Sequence, residues 1–334
     1  MSSTGLAFVY GTDNIALWTA EDYNERIEIL KKHDVKILDT ASLYPRSEEL
    51  LGEYNAPNHF IIHTKAPTLS PGTLSRQSIM DGIDKSLKDL RVDHVDTYYL
   101  HTPDPATPIE ESLAAIRAIY AAGKFKHLGL SNFSPAETQI VHEIQARNNS
   151  VLPSIYQGNY NLLARGRETD LLPVLRKLGI SFHAFSPIAA GFLTKTTGDL
   201  APSNSEKIQG RFNADNPFSS GYREMYADKE SLLTALEEWC VLAREVGMSQ
   251  AELAYRWITW HSALKSENGD GLVVGARTAA QLEETLTNIE KGPLQASLVE
   301  RIEKVWDPVK GEGPVSPWED YIKPRMEAAM SAQA

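Results

Sequence analysis

Four side chains of different chemistry stand at or just beyond the ends of three short β-branched or aromatic runs. Asp39 closes I-L-D and Tyr44 follows in D-T-A-S-L-Y, Lys65 ends H-T-K, and His101 follows Y-Y-L. An acid, a phenol, an amine and an imidazole converging on one place form a proton-transfer unit. A phenol is too weak an acid for work near neutral pH unless a close cation favours the phenolate, and Lys65 is the candidate cation. A carboxylate beside that ammonium would hold it in place, and a neutral imidazole would hydrogen-bond a carbonyl oxygen. Taken singly, each has an ordinary use: Asp39 as a helix cap, Tyr44 as packing, Lys65 as surface charge, His101 as a satisfied histidine before a turn. Only an architecture that brings three strand ends to one face makes them a set.

The chain supplies such an architecture. Strand candidates fall at residues 6–10, 36–39, 60–64, 95–100, 125–130, 154–157, 181–185 and 272–274. Helical periodicity lies between them, as in residues 73–90, where Ile79, Ile83, Leu87 and Leu90 would share one face. Residues 109–122 and 135–147 repeat the pattern. This α/β alternation predicts a (β/α)8 TIM barrel whose active face is built from the loops after the strands. No G-x-G-x-x-G follows the first strand, which argues against a doubly wound sheet. The rhythm breaks between 187 and 228, rich in Gly, Pro, Asn and Ser, and resumes in helical stretches 230–246 and 249–260. Past Lys304 the sequence loses periodicity, and this tail is expected to fold over one barrel mouth. No repeat or linker divides the chain, so one domain over 1–334 is expected.

Composition narrows the function classes. With 44 acidic against 33 basic residues, a net charge of -11 disfavours nucleic acid and anionic membrane as partners and leaves a small-molecule enzyme as the simplest reading. The single cysteine, Cys240, cannot form an internal disulfide and sits in the apolar context L-E-E-W-C-V-L-A, so it carries no chemistry here. The first residues lack a basic, apolar leader and no run approaches a spanning helix, so a cytoplasmic protein is expected.

Asp39-Thr40-Ala41, then Tyr44, Ser47, Glu48 and Leu51-Gly52, is similar to the aldo-keto reductase signature D-T-A-x-x-Y-G-x-S-E-x-x-L-G, with Pro45 in place of glycine. Proline fixes φ and removes an N–H, so the turn after Tyr44 is expected to differ slightly. The resemblance implies a catalytic tetrad of Asp39, Tyr44, Lys65 and His101, with Tyr44 as proton donor and a nicotinamide coenzyme as hydride source. It further implies coenzyme contacts at Gly11 and Thr12, at Asp39, and at Ser131, Asn132 and Gln157 around the carboxamide. Phe185 stands where the family usually has a stacking tyrosine, which keeps the aromatic face. Ser186, Ile188, Gly191 and Leu193 would line the pyrophosphate, small residues allowing close backbone approach.

The segment V-V-G-A-R-T-A-A-Q-L-E-E-T opens a helix with Gly275, Arg277 and Thr278. Free N–H groups and a guanidinium at a helix start favour phosphate, which points to NADPH (NADP+) over NADH. By resemblance Gln281 and Glu284 would reach the adenosine, while Thr285 replaces a common asparagine.

Within the superfamily, Y-Q-G-N-Y-N and G-R-F-N-A-D-N-P-F look most like the aflatoxin-aldehyde reductase branch. That likeness makes Arg211 a candidate coenzyme contact and places Tyr222 and Arg223, with His101, on the substrate side. Arg223 would clamp a substrate carboxylate or pair with a surface acid. Pocket walls are expected from residues 14–18, Phe212, Phe218 and Trp318. The partner is a small-molecule carbonyl compound, and the protein a monomer or homodimer. Two other classes stay open: a Schiff-base barrel lyase using Lys65, which a paired Asp39 disfavours by keeping the amine protonated, and a coenzyme-binding regulatory protein with little turnover.

Overall fold

A computed structural model describes residues 5–309 and 311–333. Eight parallel strands close into a barrel: β1 Ala7–Gly11, β2 Ile37–Asp39, β3 Ile61–Lys65, β4 Val95–Leu100, β5 Phe125–Ser131, β6 Pro153–Asn159, β7 Ser181–Phe185 and β8 Gly271–Val274. Each pairs with its successor, and β8 returns to β1 through Ala7 and Gly271. The expected (β/α)8 architecture is therefore the observed one. Helices Ala20–Lys32, Arg76–Leu90, Ile109–Ala121, Pro135–Arg147, Leu171–Leu178 and Ala279–Glu290 lie among the strand connections and bury their apolar stripes. The stripe expected on 73–90 is present, with Ile79, Ile83, Leu87 and Leu90 all buried. The helix begins later than expected, at Arg76, because Ser75 caps it by accepting from the Ser78 N–H.

Register sets the height of each inward side chain. Gly11 pairs with Asp39, Asp39 with His63 and His63 with Thr97. One layer higher on β3, Lys65 pairs with Tyr99 and Tyr99 with Gly129. Lys65 thus belongs to the strand rather than to the loop after it, and the period of two sends His63 and Lys65 to the same interior.

The stretch between 187 and 228 is irregular as expected, but it is ordered into short turns: Ala189–Thr194, Thr197–Leu200, Pro202–Asn204, Ser219–Tyr222 and a π turn at Arg223–Ala227. The tail is more regular than its lost periodicity suggests. After a π turn at Trp318–Ile322 it forms a helix, Lys323–Gln333, of good helix formers without an apolar stripe, which is why no periodicity announces it. The tail is tied to the irregular stretch. Ser220 Oγ and the Tyr321 hydroxyl are 2.7 Å apart and Arg325 pairs with Glu224 at 2.6 Å, while Arg167, in the turn after β6, pairs with Glu319. No helix among the described residues is long and apolar enough to cross a membrane.

Candidate active site

Three hydroxyls fix the loop that carries Tyr44. Thr12 Oγ1 donates to the Asp39 carbonyl at 2.9 Å, Thr40 Oγ1 donates to Ser47 Oγ at 2.7 Å, and Ser47 Oγ donates to the Thr12 carbonyl at 3.1 Å. The ends of β1 and β2 are thereby pinned to the start of helix Ser47–Glu53. Between them, the turn after Tyr44 and Pro45 puts Arg46 in the left-handed region at φ 56°.

Asp39 and Lys65 meet in the barrel interior, at 2% and 0% exposure. Lys65 Nζ donates to Asp39 Oδ2 at 2.5 Å and to the Thr40 carbonyl at 2.8 Å. Gln157 Nε2 donates to the other carboxylate oxygen at 2.8 Å, from the far side of the barrel. The Lys65 ammonium lies 5.2 Å from the centroid of the half-buried Tyr44 ring, and the His101 ring stands edge-on to Tyr44 with centroids 6.2 Å apart. The four residues singled out at the strand ends are thus brought together at one mouth.

Their electrostatics differ from expectation in one respect. The Tyr44 phenol is not drawn down; burial first, and then the Asp39 and Asp13 carboxylates, push it well above the usual phenol range. Lys65 pairs with Asp39, and Arg211 is a further cation that opposes the rise. Burial also pushes the Lys65 amine below its ordinary range, against the pull of Asp39. His101 is held well below the usual imidazole range by burial and by Lys65, so it is neutral at pH 7, and its Nδ1 is buried without a partner.

Around this mouth lie the remaining sequence candidates. Asn132, at φ 63°, donates through Nδ2 to the His101 carbonyl and to Ser131 Oγ, both at 3.0 Å. After Phe185 the backbone is left-handed at Ser186 (φ 55°), Ala189 (53°), Ala190 (57°) and Gly191 (99°). Three of the four are not glycine, each costing about 1 kcal/mol. The loop is held by outside donors: Asn161 Nδ2 on the Ser186 carbonyl at 3.1 Å and Trp239 Nε1 on that of Leu193 at 3.0 Å. Ile188 accepts from the Gly191 and Leu193 N–H groups, and Leu193 is buried with its N–H and carbonyl both engaged. A Cβ at Gly191 or Gly275 would meet nothing within 4 Å.

Arg211 pairs with Asp13 and stacks over Tyr222 at 5.4 Å. Arg223 donates to the Leu200 carbonyl at 2.6 Å and lies 4.0 Å from Asp228, leaving Nη1 buried and unpartnered. Beyond β8, Thr278 and Gln281 form a capping box, and Gln281 Oε1 also accepts from the Arg277 N–H at 3.2 Å. The Arg277 guanidinium is exposed with no carboxylate partner among the described residues, and Glu284 is exposed. Thr285 is buried and hydrogen-bonded to Tyr255, so it faces the helix packing. Of the expected pocket walls, Phe212 and Trp318 are buried, while Phe218 is 43% exposed.

Sequence reasoning missed the hydroxyl cluster's geometry, the Gln157–Asp39 bond and Asp13. Ser47 was visible only as a letter of a signature, and Asp13 lies 198 residues from the arginine it meets, a separation no local pattern bridges. It also missed Arg26, which is buried against Trp18 at 4.4 Å and donates to the Arg277 carbonyl at 2.8 Å, bracing the loop after β8.

Comparison with known proteins agrees with this fold. The model of the Aldo/keto reductase family matches residues 7–307. The oxidoreductase sirO of Leptosphaeria maculans is 41% identical over 298 residues, covering 89% of either chain. An aldo-keto reductase of Pseudocercospora fijiensis is 40% identical over 292 residues, 85% of this chain and 97% of that one. Aflatoxin B1 aldehyde reductase member 2 of Rattus norvegicus is 34% identical over 287 residues, 83% of this chain and 78% of that one, in line with the branch its motifs suggest.

Proposed function

The chain belongs to the aldo/keto reductase family, and from that premise we propose that it is an NADPH-dependent reductase of small aldehydes or ketones in which Tyr44 is the proton donor. The observation that carries the reading is the Lys65 ammonium, bonded to Asp39 and lying against the Tyr44 ring with neutral His101 edge-on to it.

The residues present fit a nicotinamide coenzyme. Ser131, Asn132 and Gln157 form an amide and hydroxyl set, the match for a carboxamide that is donor and acceptor at once. With the amide nitrogens of Asn132 and Gln157 already engaged, their carbonyl oxygens remain as acceptors. Phe185 offers a ring face, the left-handed loop through Gly191 leaves open space above its backbone, and Arg277 at a capped helix start is free to take a phosphate. On this reading Gly11, Thr12, Ser186, Ile188, Leu193, Arg211, Gly275, Thr278, Gln281 and Glu284 complete the coenzyme's surroundings, and the bound coenzyme supplies the hydride.

The chain's own residues do the rest. The raised proton affinity of Tyr44 keeps the phenol intact until a carbonyl oxygen gains charge beside it, and the phenolate left behind is stabilised by Lys65 and Arg211. Neutral His101 orients the carbonyl by hydrogen bonding. Asp39, fixed by Gln157 and Lys65, holds the ammonium still. Tyr222 lines the substrate side under Arg211, and Arg223 is the cation nearby that could clamp an acidic substrate. The names of the aflatoxin aldehyde reductases make aldehydes the first substrates to try. Oxidation of NADPH by the purified protein against a panel of aldehydes, ketones and aldehyde acids tests the proposal; no turnover with any of them would favour a regulatory coenzyme-binding role.

A further inference from the structure

The barrel floor holds a chain of polar groups outside the tetrad. His63 precedes Lys65 by two residues on β3, so both enter the barrel, about 7 Å apart along the strand. His63 is 2% exposed; its Nε2 lies 3.6 Å from Asp96 Oδ1 and its Nδ1 3.4 Å from the Tyr99 hydroxyl. A carboxylate facing Nε2 draws the imidazole proton to that nitrogen, which leaves Nδ1 to accept from Tyr99. Asp96 is a quarter exposed, near the start of β4, at the mouth opposite Tyr44. Burial pushes its carboxyl up, but the nearby His63 and the bond from Thr97 bring it below the ordinary range, so it is charged.

Tyr99 spans the remaining distance. It is fully buried, and its ring centroid is 5.7 Å from Lys65 Nζ, against 5.2 Å for Tyr44. The ring lies over Gly129, where a Cβ would come within 2.2 Å of Tyr99 Cδ1, so the glycine makes the placement possible. An ammonium has three N–H donors; Lys65 gives two to Asp39 and Thr40 and is flanked by two ring faces that attract the remaining charge.

We propose that Tyr99 is a positioning residue: anchored through His63 on Asp96, its ring fixes the Lys65 ammonium against Tyr44 from below. This rests on the reading of Tyr44 as the proton donor. The relay does no chemistry itself; it limits where the ammonium can sit when the phenol gives up its proton.

Four variants test it: Tyr99→Phe, His63→Leu, His63→Gln and the double His63→Leu/Tyr99→Phe. Tyr99→Phe keeps the ring and its packing, so it is the variant most certain to fold. Tyr99→Phe and His63→Leu should each lower kcat about five- to tenfold, well short of losing the acid itself, with NADPH affinity unchanged. His63→Gln, whose amide can accept from Tyr99 and donate to Asp96, should restore kcat to within about twofold of the parent. The double variant should be no slower than either single, because one relay is broken once. Unchanged kcat in Tyr99→Phe, or His63→Gln as slow as His63→Leu, would overturn the inference alone. Full turnover in Tyr44→Phe would overturn the reading of Tyr44 and this inference with it.

Discussion

Lys65 Nζ and Asp39 Oδ2 are 2.5 Å apart with both side chains withdrawn from solvent, so neither charge has water to fall back on. Breaking such a pair from one side leaves an uncompensated buried charge, which costs about 3 kcal/mol or more. Lys65→Met should therefore destabilise the fold by about that amount, because Asp39 keeps only its bond from Gln157. The double variant Lys65→Met/Asp39→Asn should recover much of the loss. Urea midpoints of the three proteins check this, and a double variant as unstable as Lys65→Met would show that the pair's charge is not the cause.

Tyr44→Phe should reduce carbonyl turnover by about 10²- to 10⁴-fold, the usual contribution of a positioned acid. The ring stays in place against Lys65 and His101, so NADPH binding, followed by protein fluorescence, should be little changed. Loss of coenzyme binding in parallel with turnover would mean that the hydroxyl holds the coenzyme rather than the proton.

Arg277→Ala should raise KM for NADPH by about tenfold or more and leave NADH nearly untouched, since a guanidinium at a helix start distinguishes the two through one phosphate. Arg277 has no competing carboxylate among the described residues, so little else should change. Equal losses with the two coenzymes would put the phosphate elsewhere.

The tetrad was legible because a β/α rhythm tells which residues end strands, and strand ends share a face. The barrel floor was not. Strands of a closed parallel barrel are covered on both sides, so inward His63 and outward Thr64 read alike in a run such as I-I-H-T-K. Sequence brings Lys65 forward as the cation beside Tyr44 but gives no sign that Arg211, which comes from the irregular stretch, also opposes Tyr44's high affinity for its proton. Gln281 illustrates a third limit, since its carbonyl oxygen is spent on capping its own helix before any ligand arrives.

Two buried imidazoles tie stability to pH. His183, stacked on His63 at 6.2 Å, is pushed down to about 3 by burial and then by His63, and His101 is lowered too. Each stays neutral in the folded chain while its unfolded counterpart takes up a proton below about pH 6.5. The unfolded state then binds more protons, so stability falls as pH drops, by about 1.4 kcal/mol per unit for each histidine. For His183 the fall continues toward its folded value of about 3. Urea unfolding at pH 7 and pH 5 should show the drop, and His183→Gln should flatten part of it. A stability that is level between those pH values would mean that these imidazoles are solvated.

Arg46 offers the clearest route to a more stable protein. Its φ of 56° places a long, charged side chain where glycine or asparagine is at ease. Relieving the strain by Arg46→Gly is worth about 1 kcal/mol. Against it stands the greater freedom of glycine in the unfolded chain, about 0.4 to 1 kcal/mol, which nearly cancels the gain, and the exposed ion pair with Glu49 at 3.1 Å is lost as well. The substitution Arg46→Asn avoids the first of these costs, because asparagine tolerates the left-handed region without glycine's freedom in the unfolded chain. Arg46→Asn should thus be the more stable of the two variants, gaining about 0.5 kcal/mol over the parent, with kcat unchanged because Ser47, Thr40 and Thr12 still pin the loop. A melting temperature below the parent's would show that the Glu49 pair outweighs the backbone strain.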